Sequence, residues 1–124
     1  MSTCPFCVLN EDRILMERGG LRVIADAYPV TNGHLLILPV RHVVSFRELS
    51  DSEWREVLAL IKLWTERLTA QDPSIAGFNV GINDGEAAGQ TILHAHVHLI
   101  PRRAGDVPNP RDGVRGVIPG KASY

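Results

Sequence analysis

The chain has 124 residues, 44% of them hydrophobic and 22% charged, with a formal net charge of −1. That length fits one modest core, and the balance is ordinary for a globular protein. No basic excess matches a nucleic-acid polymer, no apolar run approaches membrane-spanning length and no basic-then-apolar leader opens the chain, so a cytoplasmic protein with neither a nucleic-acid nor a membrane partner is expected.

Taken in chain order, Cys4-Pro5-Phe6-Cys7 reads as a tight knuckle. In a reducing compartment a C-x-x-C pair points to metal binding or redox work rather than a structural disulfide, and no thioredoxin-like βαβ context follows to favour redox. Ile14 to Glu17 is a short strand, turned by Gly19-Gly20 into a second over Leu21 to Ala25. A loop through Tyr28-Pro29 and Thr31-Asn32-Gly33 leads to an apolar strand, His34 to Leu38, closed by Pro39. Ser50 caps a helix, with Glu53 completing a capping box. Trp54, Val57, Leu58, Ile61, Trp64 and Leu68 form one apolar stripe, read as core packing against a sheet, and Pro73 ends the segment.

Gly77 to Ile82 is the next strand, with Phe78, Val80 and Ile82 alternating, and Asn83-Asp84-Gly85 turns it. Ile92 to Ile100 is the last. From Pro101 on, proline, glycine and arginine leave little regular structure. The expectation is a single domain over 1–124, with a core over 1–106 and a tail over 107–124. Its class is α+β: an antiparallel sheet with the helix on one face.

His94-Ala95-His96-Val97-His98 places three of the chain's five histidines in five residues. At the strand period of two, the imidazoles share one face while Ala95 and Val97 point to the other. Three adjacent imidazoles suit chemistry that uses the ring as nucleophile, proton carrier or metal ligand. An imidazole nitrogen attacks phosphorus well near neutral pH, because much of it is unprotonated there.

The run His94 to Ile100, preceded by Gly89-Gln90-Thr91, resembles the histidine triad (HIT) family of nucleotide hydrolases and transferases. The likeness extends to Asn32-Gly33-His34-Leu35-Leu36-Ile37-Leu38-Pro39 and to Asn83-Asp84-Gly85, and spans about residues 4 to 106. It implies a HIT-like fold with a five-stranded antiparallel sheet, one long and one short helix and an irregular tail, in a homodimer. It further implies that His96 attacks the α-phosphorus of a nucleotide, giving a nucleotidyl-imidazole that water releases. His98 would then donate to the phosphate oxygens and help protonate the leaving group, with His94 completing the catalytic set. Asn83, Gln90 and Thr91 match residues that contact phosphate and leaving group, Asp26 matches a ribose-hydroxyl ligand, and His34 is placed to orient the triad at the nucleotide site.

Cys4, Cys7, His42 and His94 resemble a structural zinc site of bacterial triad proteins, with all four positions filled by protein. The Gly89-Gln90-Thr91 lead and the Pro101-Arg102-Arg103-Ala104-Gly105-Asp106 continuation resemble the dinucleoside polyphosphate branch of the family, which implies a substrate such as diadenosine tetraphosphate. Purine nucleoside phosphoramidase and nucleotidyl transferase or phosphorylase activities remain alternatives. So do a nucleotide-binding regulatory module and a zinc module ligated by His96 and His98. Arg102, Arg103, Arg111 and Arg115 are candidates for holding distal phosphates, against the plain reading of a solvated basic tail.

Overall fold

The structure, a computed structural model, describes residues 4–122. Strands β1 (Ile14–Arg18), β2 (Leu21–Ala25), β3 (Leu35–Pro39), β4 (Ile75–Ile82) and β5 (Val97–Arg103) and one helix, α1 (Asp51–Gln71), carry the fold. They form one five-stranded sheet in the order β1-β2-β3-β5-β4, and every pair is antiparallel. The short helical pieces, among them Phe46–Glu48, are single 3-10 turns.

The β1–β2 connection is two glycines with φ of 59° and 82°, at Gly19 and Gly20. A two-residue hairpin loop of type I′ has positive φ at both positions, which matches strand twist, and glycine adopts it freely. Gly33, at φ 89°, opens β3, and a Cβ there would meet Pro101 at 3.2 Å, so the turn that delivers His34 requires glycine.

α1 begins as expected: Ser50 accepts from the Glu53 amide while the Glu53 carboxylate accepts from the Ser50 amide, a complete capping box. The stripe is corrected in one place. Leu58 is 64% exposed, and Leu60, off the predicted stripe, is fully buried beside Val57 and Trp64. These residues cover a core of Leu21, Val23, Leu35, Ile37, Val97 and Leu99 on one sheet face. The other face carries a smaller cluster of Phe6, Ile24, Leu36 and Leu38, and the N-terminal knuckle closes over it.

The strand expected from Ile92 begins only at Val97. Its pairing with β3 ends at Ile37↔Val97. Two residues further along β3 stands Pro39, which has no N–H to extend the ladder. The Ala95 amide instead donates to the Val43 carbonyl at 2.8 Å. His94 and His96 therefore lie just ahead of the strand. Ala95 and Val97 still point into the helix-side core, so the expected alternation of faces holds.

Among the described residues after Arg103 the only helical pieces are 3-10 turns, Pro110–Asp112 and Val114–Val117, and neither buries a side chain. The expected irregular tail is observed. It folds back toward the sheet, and Asp112, Gly113 and Val117 line the same cleft as His98. No helix among the described residues is long and apolar enough to cross a membrane.

Candidate active site and metal centre

Each triad imidazole has its tautomer set by a backbone group, because an amide can only donate and a carbonyl can only accept. His94 Nε2 lies 2.8 Å from the Pro39 carbonyl, so Nε2 carries the proton and Nδ1 is left as a lone pair. His96 Nδ1 lies 2.8 Å from the His94 carbonyl, so Nδ1 is protonated and the lone pair is on Nε2. His98 is set one step removed. The Val30 amide donates to His34 Nδ1 at 3.1 Å, which puts the His34 proton on Nε2, 2.9 Å from His98 Nδ1. His98 Nδ1 accepts it and carries its own proton on Nε2. Burial holds His34, His94 and His98 below the usual imidazole range, against opposing pulls from Asp26 on His34 and His98 and from the Pro39 carbonyl on His94. All three are neutral at pH 7, as this pattern requires.

Ring packing fixes orientation as well. Phe6 stands edge-on to His96 at 5.1 Å and to His94 at 5.8 Å, and the His96 and His98 centroids are 5.2 Å apart. Phe6 is a site residue that the sequence reading missed; the available signal was a large apolar side chain between two candidate ligands.

Two clusters of candidate ligands emerge among the described residues. In one, the ligand atoms of Cys4, Cys7, His42 and His94 converge within 4.8 Å. Cys7 Sγ lies 3.1 Å from His42 Nδ1 and 3.6 Å from His94 Nδ1, Cys4 Sγ lies 3.5 Å from His94 Nδ1, and the two Nδ1 atoms are 3.2 Å apart. Tetrahedral zinc, with bonds of about 2.0–2.3 Å to nitrogen and sulfur, places its ligand atoms roughly 3.3–3.8 Å apart. The donors present fit that polyhedron, and a lone pair on His94 Nδ1 aimed at a second ring nitrogen and two sulfurs suits a cation.

The other cluster is Asp26, His34 and His98. Asp26 Oδ2 lies 3.3 Å from His34 Nε2 and 3.9 Å from His98 Nδ1, while Oδ1 accepts from the Tyr28 amide at 2.9 Å. His34 Nε2 is a protonated donor here, not a lone pair, so this group is a hydrogen-bond relay. The three triad histidines thus do not share a metal site: of them, only His94 faces the cysteines.

A cleft of about 1180 Å³ opens beside the relay, lined by His34, His98, Ile82, Asn83, Asn79 and residues of the tail. Thr91 is exposed. Gln90 is not free to meet a ligand: it is 5% exposed, its Oε1 accepts from the Gly85 amide at 2.8 Å, and its Nε2 donates to the Val44 and Ile92 carbonyls at 2.8 and 3.2 Å. The side chain thus braces the loop against Val44 of the segment ahead of α1.

Two arginines proposed for distal phosphates are also engaged. Arg102 donates through Nε and Nη2 to Asp106 at 2.8 Å and through Nη1 to Asn79 at 2.6 Å. Arg103 reaches Asp72 at 2.7 Å, Ser74, Thr31 and the Asn32 carbonyl, and this pairing holds the Asp72 carboxyl down at about 2. Both pin the ends of the sheet. Arg115 donates to the Lys121 and Ala122 carbonyls within the tail.

Known proteins resemble the chain in sequence and fold. The HIT domain family matches residues 9–105. An uncharacterized HIT-like protein of Mycobacterium tuberculosis is 34% identical over 107 residues, covering 83% of this chain and 74% of its own. AP-4-A phosphorylase from the same organism is 34% identical over 102 residues, covering 78% of this chain and 50% of its own length. Among solved structures, a zinc-bound histidine triad family protein from Mycobacterium smegmatis superposes with a TM-score of 0.71 at 28% identity, covering 93% of this chain and 90% of the other. The chain belongs to the HIT domain family.

Proposed function

We propose that the protein cleaves a nucleoside phosphate at its α-phosphorus through a nucleotidyl-His96 intermediate. The observation that carries this reading is the 2.8 Å approach of His96 Nδ1 to the His94 carbonyl, from which we infer a proton on Nδ1 and a lone pair on Nε2, next to the His98 ring and its N–H. In the first step His96 Nε2 forms a bond to phosphorus and the bond to the bridging oxygen breaks. Positive charge builds on the His96 ring, where Nδ1–H already points at the His94 carbonyl. His98 Nε2–H donates to the oxygens on which negative charge collects. Water then attacks phosphorus, the P–N bond breaks, and His96 is restored. Asn83 and Thr91 face the phosphate from the neighbouring loop, His34 holds His98, and Asp26 takes the ribose hydroxyls, a carboxylate accepting from a diol.

The same proton pattern supports one substrate class. A neutral His98 whose Nδ1 is already accepting can lend a hydrogen bond but not give up its proton cheaply. A polyphosphate departs as an anion and needs no full proton, whereas an amine, with a pKa near 10 in the free state, must be protonated to leave. Dinucleoside polyphosphates such as diadenosine tetraphosphate are therefore favoured over phosphoramidates. The likeness to AP-4-A phosphorylase supports a second acceptor, inorganic phosphate in place of water. Incubation with diadenosine tetraphosphate with and without phosphate separates the two: AMP and ATP without phosphate mark a hydrolase, and ADP with ATP formed only with phosphate marks a phosphorylase. No cleavage of any adenylated compound in a panel would refute the enzyme reading and leave a binding module.

We also propose zinc in the Cys4–Cys7–His42–His94 cluster. With four protein ligands it would have no open position, so its chemistry is structural: it would clamp the knuckle and the end of β3 to His94. A homodimer is proposed from family membership.

A further inference from the structure

The segment between β3 and α1, residues 40–50, touches both the cysteine–histidine cluster and the phosphate-side loop. Its first part supplies His42 to the cluster, and Pro39, just ahead of it, takes the His94 Nε2 proton. The next residues turn toward the loop over 83–92. The Val43 carbonyl accepts from the Ala95 amide at 2.8 Å. The Val44 carbonyl accepts from Gln90 Nε2 at 2.8 Å, while Gln90 Oε1 takes the Gly85 amide at 2.8 Å. Arg47 stands 3.5 Å from Asp84, beside Asn83. Arg41 anchors the segment from outside, on Glu53 at 2.9 Å and on the Glu48 carbonyl at 2.9 Å. The Gln90 amide makes three backbone bonds and is nearly sealed from water, so shifting either partner leaves a buried polar group unpaired. Its partner Val44 lies two residues from the His42 ligand and Gln90 itself stands next to the Thr91 candidate, so its side chain ties the two segments together.

We propose that Gln90 is a positioning residue that couples the Cys4–Cys7–His42–His94 cluster to the loop carrying Asn83 and Thr91, so that metal in the cluster and phosphate at the loop each raise affinity for the other. This rests on the nucleotide reading above. Linkage requires the effect to be reciprocal and equal in both directions.

The test uses the zinc-loaded full chain and AMP, with no turnover. Competition with a chromophoric chelator gives the zinc affinity with and without saturating AMP, and calorimetry gives the AMP affinity directly. In the wild type AMP tightens zinc by about five-fold or more, the lower end of typical couplings. In Gln90→Met, which keeps the side-chain volume and removes the three bonds, zinc affinity without AMP stays within about three-fold while the AMP effect falls to near one-fold. Should that variant not fold, Arg47→Ala serves instead, since its side chain is 76% exposed; the AMP effect then shrinks without vanishing. AMP that binds the wild type yet leaves zinc affinity unchanged overturns the coupling and spares the nucleotide reading. An AMP effect that persists in full in folded Gln90→Met removes Gln90 as the bridge. Failure of AMP to bind at all overturns the nucleotide reading and the coupling with it.

Discussion

Two groups of candidate ligands lie on the face of the sheet opposite α1, and they differ in one respect that decides their chemistry. In the Cys4–Cys7–His42–His94 group the backbone takes the far nitrogen of a ring: the Pro39 carbonyl holds His94 Nε2–H and turns a lone pair inward. In the Asp26–His34–His98 group the backbone supplies a proton: the Val30 amide fills the His34 lone pair and turns an N–H inward. One arrangement gathers acceptors, which suits a cation. The other strings donors and acceptors into a chain that ends in a donor at the cleft. Similar side chains thus become a metal site or a relay according to which backbone group sits behind the ring. His96 stands between them with neither fate, its Nδ1 tied to a carbonyl and its Nε2 in reserve.

The largest effect that would sharpen this contrast is at His96. His96→Ala should lower turnover by roughly 10⁴-fold or more, while His96→Asn keeps nucleotide binding by calorimetry, since the nucleophile acts as a unit with its partners. On the metal side, Cys4→Ser should release zinc by elemental analysis and lower the melting temperature by roughly 5–15 °C, with His96 chemistry still detectable below that temperature. On the relay side, His34→Asn should cut kcat by about 10–100-fold and leave zinc content unchanged. A His34 variant that lost zinc, or a Cys4 variant that lost only kcat, would merge the two regions that the geometry separates.

A smaller effect follows from protonation. His34 and His98 sit below their ordinary value of 6.5 in the folded state, chiefly through burial. The unfolded chain then binds more protons between the two values, so stability should be full above pH 6.5 and fall as pH drops through that point and below. Urea unfolding across pH 5 to 8 measures it, and the acid slope should be shallower in His34→Asn. The smallest expected effect is remote from both clusters: Ser50→Ala should cost about 1 kcal/mol of stability through the lost cap and leave kcat unchanged.

Much of this was legible in the residues. The Ser50–Glu53 box, the Gly19-Gly20 turn and the period-two histidines announce α1, the first hairpin and a shared face, because each is a local rule satisfied within a few residues. The meeting of Cys4 and Cys7 with His42 and His94 came from resemblance, since nothing local brings residues so far apart together. What escaped was set by backbone atoms and by distant pairing. Pro39 ends the β3–β5 ladder early and so moves His94 and His96 off the strand. Val30 acts through its amide, which no side-chain pattern encodes. Gln90, beside Thr91, also serves as a brace, because its side chain bonds the carbonyl of Val44 and the amide of Gly85. Leu58 and Leu60 exchange roles because the buried stripe runs Val57, Leu60, Trp64 at i, i+3, i+7, and Leu58 lies off it.

The most direct test is to mix the protein with diadenosine tetraphosphate, quench in alkali within the first turnover and map the modified peptide by mass spectrometry. A gain of one adenylyl group on the peptide spanning residues 94–98, assigned by fragmentation to His96 and absent from His96→Ala, is the predicted result. An adenylyl group on His98 or elsewhere, or turnover that survives in His96→Ala, would contradict the account.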